Sequence, residues 1–117
     1  IGVSVGYTAL NLDLHTIVTY TELGKTARLI SKYRPNASIL AVTPSAKVAR
    51  GLSLVWGVDA QISEQAKSTD EMLVTAAKIA KSSGYAKVGD AIVITGGINT
   101  SVSNAGTTNF LKVSVID

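Results

Sequence analysis

Four short apolar runs with little internal alternation, each separated from the next by an amphipathic stretch, constrain this chain more than any other feature. A strand with one wet face alternates apolar and polar residues, whereas a strand covered on both faces of a parallel sheet does not need to. His15 to Tyr20 is β-branched and apolar and closes on a polar turn, which reads as the first buried strand. Lys25 to Tyr33 follows as a helix, with Ala27, Ile30 and Tyr33 on one face, Lys25, Arg28 and Lys32 on another, and Pro35 as its stop. The pattern recurs in Ser38 to Val42, followed by a short helix carrying Val48, Ala49 and Leu52 that Ser45 can cap. A third strand is expected around Leu54 to Val58. Ser68-Thr69-Asp70-Glu71 then has the form of a capping box, opening a helix with Met72, Ala76, Ile79 and Ala80 on one stripe and Gly84 as its stop. Ala91 to Ile94 is the fourth run, buried on both faces. Strands and helices at this rhythm predict an α/β fold, a three-layer α/β/α sandwich with right-handed crossovers.

The two ends of the chain break the rhythm. Tyr7 to Leu14 reads as the tail of a helix begun upstream, and a start at Ile1 instead of Met points to a piece of a longer polypeptide. At the other end, no helical pattern lies between Thr95 and Asn109. Phe110 to Ile116 then sets Leu111, Val113 and Val115 against Lys112 and Ser114, as an edge strand with one covered face would. Reached by a loop, it should run antiparallel to its neighbour, completing a five-stranded mixed sheet of four parallel strands and one antiparallel edge. Residues 1–117 read as one domain, and no internal repeat interrupts them.

With 117 residues the chain can bury a core without staples, and with no cysteine and one histidine it holds neither a disulfide scaffold nor a thiolate–imidazole metal site. The longest apolar stretches fall far short of the roughly 18 residues of a membrane span, and no signal-peptide pattern opens the chain, so a cytoplasmic protein away from membranes is expected. A net charge of +3 is too mild to argue for nucleic acid, and the basic helix face of Lys25, Arg28 and Lys32 lacks interleaved aromatics, reading as a solvated surface. Trp56 and Tyr33 read as packing residues, and His15 as structural.

Two segments carry candidate chemistry. Thr21, Glu22, Leu23, Gly24, Lys25 and Thr26 sit between a strand and a helix N-terminus, where amides and the helix dipole attract anions such as phosphate. Gly24 permits close approach and Lys25 supplies charge, yet the spacing is neither a Walker loop nor a dinucleotide fingerprint, and an ordinary turn capped by Thr21 remains open. The second segment, from Gly96 and Gly97 through Asn99, Thr100, Ser101 and Asn104 to Gly106, is long and rich in small donors, and it leaves the carboxyl end of a strand, where open sheets bind ligands. A mobile connection is the other reading. No catalytic dyad stands out.

The run Thr21-Glu22-Leu23-Gly24-Lys25-Thr26-Ala27-Arg28-Leu29-Ile30-Ser31-Lys32-Tyr33-Arg34-Pro35, followed by Ile39-Leu40-Ala41-Val42-Thr43-Pro44, resembles the C-terminal domain of the pyruvate kinases. Val48-Ala49-Arg50-Gly51-Leu52, Trp56-Gly57-Val58, Gly89-Asp90 and Gly106-Thr107-Thr108-Asn109 fall in the family's order, and the second and last have a bacterial flavour. The resemblance covers nearly the whole chain. It implies a module of the enzyme that moves phosphate from phosphoenolpyruvate to ADP, with magnesium and potassium used in the full-length enzyme and no cofactor in this domain. No residue here matches the family's catalytic or metal-binding motifs, so no catalysis is expected from the domain alone. The resemblance further implies a homotetramer interface, for which Leu111, Val113 and Val115 are the candidates. It also implies an effector whose phosphate lies on the loop Thr21 to Thr26, under the loop Gly96 to Gly106. Leu23 stands where forms activated by fructose bisphosphate carry a hydroxyl residue, and Met72 where they carry an arginine. AMP or a sugar monophosphate therefore fits at least as well as fructose bisphosphate. The alternative is a stand-alone domain binding a nucleotide or sugar phosphate.

Overall fold

Cover on both faces is why the central strands carry so little alternation. The computed structural model describes residues 14–21, 24–32, 37–64, 68–96 and 110–116. In chain order they form β1 (Thr16–Tyr20), α1 (Lys25–Lys32), β2 (Ser38–Thr43), α2 (Ala46–Leu52), β3 (Val58–Ile62), α3 (Thr69–Ser82), β4 (Ala91–Gly96) and β5 (Phe110–Val115). The sheet order is β3-β2-β1-β4-β5, parallel except for the antiparallel β4–β5 pair. Val18 lies level with Leu40 and Ile94, and these three, with Val42 and Ile92, pack on Ala76 and Ala80 of α3. The intervening residues Ile17, Ile39 and Val93 face the other way, onto Ile30 of α1, while Ala41 meets Ala27 and Leu52 from α1 and α2. The expected three-layer architecture and five-stranded mixed sheet are therefore present.

Local signals set the helix ends. The Ser45 hydroxyl accepts from the Val48 amide at 3.2 Å and the Ser68 hydroxyl from the Glu71 amide at 3.1 Å, satisfying donors that an α-helix leaves open at its start. Beyond α3, Gly84 adopts φ 84°, and the Tyr85 amide turns back onto the Ala80 carbonyl at 3.0 Å.

Four expectations need correction. The third strand runs from Val58 to Ile62, not from Leu54 to Val58: Leu54 and Val55 bond back to the carbonyls of Gly51 and Leu52, prolonging the end of α2, and the turn ends at Gly57 with φ 70°. Trp56, on that turn, is 48% exposed and not a core packing residue. The fourth strand continues through Thr95 to Gly96, which is buried and lies level with Phe110, so Gly96 belongs to the sheet and not to a loop. On β5 the alternation is present but its cover is thin: Leu111 packs on the Ile17–Val93 cluster, while Val113 is 37% and Val115 57% exposed. The opening helix expected over Tyr7 to Leu14, and Tyr33, lie wholly or almost wholly outside the described residues.

Candidate functional site

The strand order reverses at β1. From β1 the chain winds to β2 and β3 on one side, and then α3 carries it back across the other face to β4, on β1's far side. Right-handed crossovers in opposite directions put their helices on opposite faces, and the crevice at the carboxyl ends of β1 and β4 is the place where open α/β sheets receive ligands. The two segments singled out from the sequence leave the sheet there.

Thr21 continues β1 by one residue, its amide donating to the Val42 carbonyl at 2.9 Å. Its hydroxyl accepts from the Gly24 amide at 2.8 Å, closing a tight buried turn. Gly24 has φ 86°, and a Cβ there would stand 3.3 Å from Val48 Cγ1 and 3.4 Å from Leu52 Cδ2, so the turn lies directly against α2. The first intrahelical bond of α1 runs from the Arg28 amide to the Gly24 carbonyl at 3.0 Å. The amides of the first turn consequently face past the helix end, the arrangement that attracts anions. Lys25 is exposed there and Thr26 is buried. Both readings of this segment thus have a physical counterpart, since Thr21 caps the turn and the turn still presents a helix N-terminus. Glu22, Leu23, Gly97, Asn99, Thr100, Ser101, Asn104 and Gly106 lie outside the described residues.

Thr21 apart, sequence reasoning missed the floor of this crevice. Thr19, Thr21, Thr43 and Thr95 are all buried at the carboxyl ends of the three central strands, and Thr19 lies level with Thr95. The signal was present, since β1, β2 and β4 each run from consecutive apolar residues into a threonine. The Thr19 hydroxyl is fully buried without a hydrogen-bond partner. An orphaned hydroxyl costs about 1–3 kcal/mol. Thr19→Val, which keeps the shape and removes the orphan, should therefore stabilise the fold by about 1–2 kcal/mol in urea titration, while Thr19→Ser should not.

At the same sheet end but on the opposite face, the Tyr20 hydroxyl donates to the Met72 carbonyl at 2.9 Å. Met72, the position where the resemblance would have an arginine, is buried in the first turn of α3. Burial pushes the Tyr20 phenol up to about 12, opposed by a hydrogen bond with Thr75 and aided by the Glu71 carboxylate. From pH 10 to 12 the folded state holds a proton that the unfolded chain has released. Stability from this group is full below pH 10 and falls as pH rises through that window, a slope that Tyr20→Phe should reduce in melting curves. Tyr85 is also raised, chiefly because its hydroxyl donates to Asp59 Oδ2 at 2.8 Å. Among the described residues no group of three His, Asp or Glu side chains is placed to hold a metal ion.

The family model described as pyruvate kinase, alpha/beta domain, matches residues 1–114. The chain belongs to the pyruvate kinase family. A pyruvate kinase from Staphylococcus epidermidis is 49% identical over 116 residues, which are 99% of this chain and 20% of that protein. One from Staphylococcus aureus is 48% identical with the same coverage. The solved pyruvate kinase of Cryptosporidium parvum in complex with ADP superposes with a TM-score of 0.86 at 31% identity, covering 100% of this chain and 23% of that one. The chain thus spans about a fifth of the length of the curated pyruvate kinases it matches, and their α/β domain is what it resembles.

Proposed function

We propose that this domain is the regulatory and assembly module of a pyruvate kinase, the enzyme that transfers phosphate from phosphoenolpyruvate to ADP to give pyruvate and ATP. The observation that carries the effector role is the α1 N-terminus at the β1/β4 reversal, with Gly24 and Lys25 on its rim. Its ligand is a phosphorylated effector: AMP, a sugar monophosphate or fructose bisphosphate. The exposed Val113 and Val115, continuing from Leu111, support a homo-oligomer contact on the β5 edge, within a tetramer. Catalysis, with its magnesium and potassium, belongs to the rest of the polypeptide, in the cytoplasm. The other reading, a stand-alone domain for a nucleotide or sugar phosphate, uses the same crevice. Near-half identity to a fifth of a longer enzyme favours the module.

The test is the melting temperature of the 117-residue chain with AMP, ribose phosphate, glucose phosphate and fructose bisphosphate at matched ionic strength. A ligand at about a hundredfold over its dissociation constant adds roughly 2.7 kcal/mol, which is roughly 10 °C for a domain of this size. A shift with one ligand class that Thr26→Ala abolishes is the expected result. No shift with any of them would remove the effector role and leave assembly.

A further inference from the structure

Two helices begin at the carboxyl end of the sheet, on opposite faces of β1. α1 follows β1 directly, and α3 follows β3, which runs parallel to β2 and β1. Their first turns differ in charge. α1 opens with exposed Lys25 and has no acidic residue in its first turn. α3 opens with Asp70 and Glu71, the Ser68 hydroxyl fills its cap, and its first cation, Lys78, comes about two turns beyond Glu71. Carboxylates in a first turn offset the positive end of the helix dipole. α3 has supplied its own anions there, and α1 has not.

The α3 side reaches the crevice through Tyr20. Its hydroxyl donates to the Met72 carbonyl and makes a second hydrogen bond with Thr75, which fastens the start of α3 to the last residue of β1. Burial is the larger cause of that phenol's upward shift, and the Glu71 carboxylate adds to it. A negative charge therefore stands at the end of β1, across from the α1 N-terminus. Thr21, the next residue, begins the turn that leads into α1.

The floor between these two walls is unfinished. Thr19 has the parity of Ile17, which packs with Ile30 of α1, so the Thr19 side chain lies on the α1 side of the sheet. Its hydroxyl is fully buried and has no partner, whereas a hydroxyl sealed in by protein groups alone is nearly always paired. An orphan at that place points to a polar group from outside the chain.

We infer that Glu71 is a specificity-determining residue of the crevice: the α1 side takes one phosphate group and the Glu71 side takes free hydroxyls of the sugar that carries it, so the ligand is a sugar phosphate monoester and not a bisphosphate. This deepens the effector reading and rests on it. The class includes AMP as well as hexose and pentose monophosphates. A sugar hydroxyl donates to a carboxylate in a charge-assisted hydrogen bond. A second phosphate would instead set like charges against each other, which is how a site rejects a wrong ligand.

Calorimetric titration of the intact polypeptide that carries this domain tests it, with glucose 6-phosphate, ribose 5-phosphate and fructose 1,6-bisphosphate at matched ionic strength. The tighter of the two monophosphates should bind at least about tenfold more tightly than the bisphosphate. Glu71→Gln should erase most of that ratio, and Glu71→Arg should reverse it. Both keep the helix cap, because Ser68 bonds the backbone amide at that position and not the side chain. Asp70→Asn, at the other acid of the same turn, should leave the ratio unchanged. A bisphosphate that binds as tightly as either monophosphate would overturn the inference. So would a ratio that neither Glu71 variant moves, or one that Asp70→Asn moves as far as Glu71→Gln does. In those cases, binding that Thr26→Ala abolishes would leave the effector reading standing. No binding of any of the three would remove both.

Discussion

Leu40→Ala should destabilise the domain by about 3–5 kcal/mol, lowering its melting temperature by roughly 10–20 °C. Leu40 is fully buried on β2, between Val18 of β1 and Asp59 of β3, and belongs to the cluster that packs on α3. The loss has two parts, the transfer of the missing methyl groups and the cavity they leave. Relief of the second part needs neighbours that can move in. Here the facing helix presents Ala76 and Ala80, whose single methyls cannot reach into the void, and the sheet behind is pinned by the parallel ladder. The effect should therefore fall in the upper half of the usual Leu→Ala range. Chemical denaturation monitored by circular dichroism checks it, and a loss under 2 kcal/mol would mean that α3 collapses onto the sheet.

Gly24→Ala should be more damaging than alanine at Gly51, Gly57, Gly84 or Gly89 and should disable the crevice as well. At φ 86° any side chain is strained by about 1–2 kcal/mol, and the new Cβ would press on Val48 and Leu52, both held by α2. Together these should cost about 2–3 kcal/mol. Gly57→Ala supplies the control, because Gly57 has φ 70° but no atom within 4 Å of its added Cβ. It should lose only the backbone part. The difference between the two variants isolates the packing of the turn against α2. In Gly24→Ala the turn must open or α2 must shift, so any phosphate-dependent rise in melting temperature should shrink beyond what the lost stability accounts for. Equal losses in the two variants would show that the turn does not press on α2.

The strands buried on both faces were legible because they lack alternation: β1, β2 and β4 fall where their apolar runs do. The serine caps were legible too, since Ser45 and Ser68 each precede a helical stripe and bond the amide three residues on. β3 was not. Its residues Val58 to Ile62 are only partly covered, so they carry Asp59 and Gln61 and resemble a turn, while the more apolar Leu54-Val55-Trp56 just before them draws attention away. Apolar character there marks an outer surface, a distinction that depends on what the chain brings alongside from α1. Of the crevice, the turn from Thr21 to Thr26 could be read from the sequence because a helix start follows a strand end. The threonine floor left only a faint mark, a threonine after each apolar run of β1, β2 and β4, because a hydroxyl in a buried strand has no period of its own. Whether Thr19 finds a partner is decided by residues distant in the chain.

Four parallel strands impose a direction on the domain. The crevice opens where they finish, and His15 and Ile116, at the two limits of the described fold, lie where they begin, about 17–20 Å away at the rise of an extended chain. The intervening span is the most deeply buried material in the molecule, with no soft layer that could absorb a displacement. Whatever happens at the far rim therefore reaches the opposite end of the sheet as a tilt of one stiff block. It also leaves the two ends free to change separately over evolutionary time: the rim can acquire new chemistry by exchanging residues beyond Thr21 and Gly96 while the opposite end keeps its geometry.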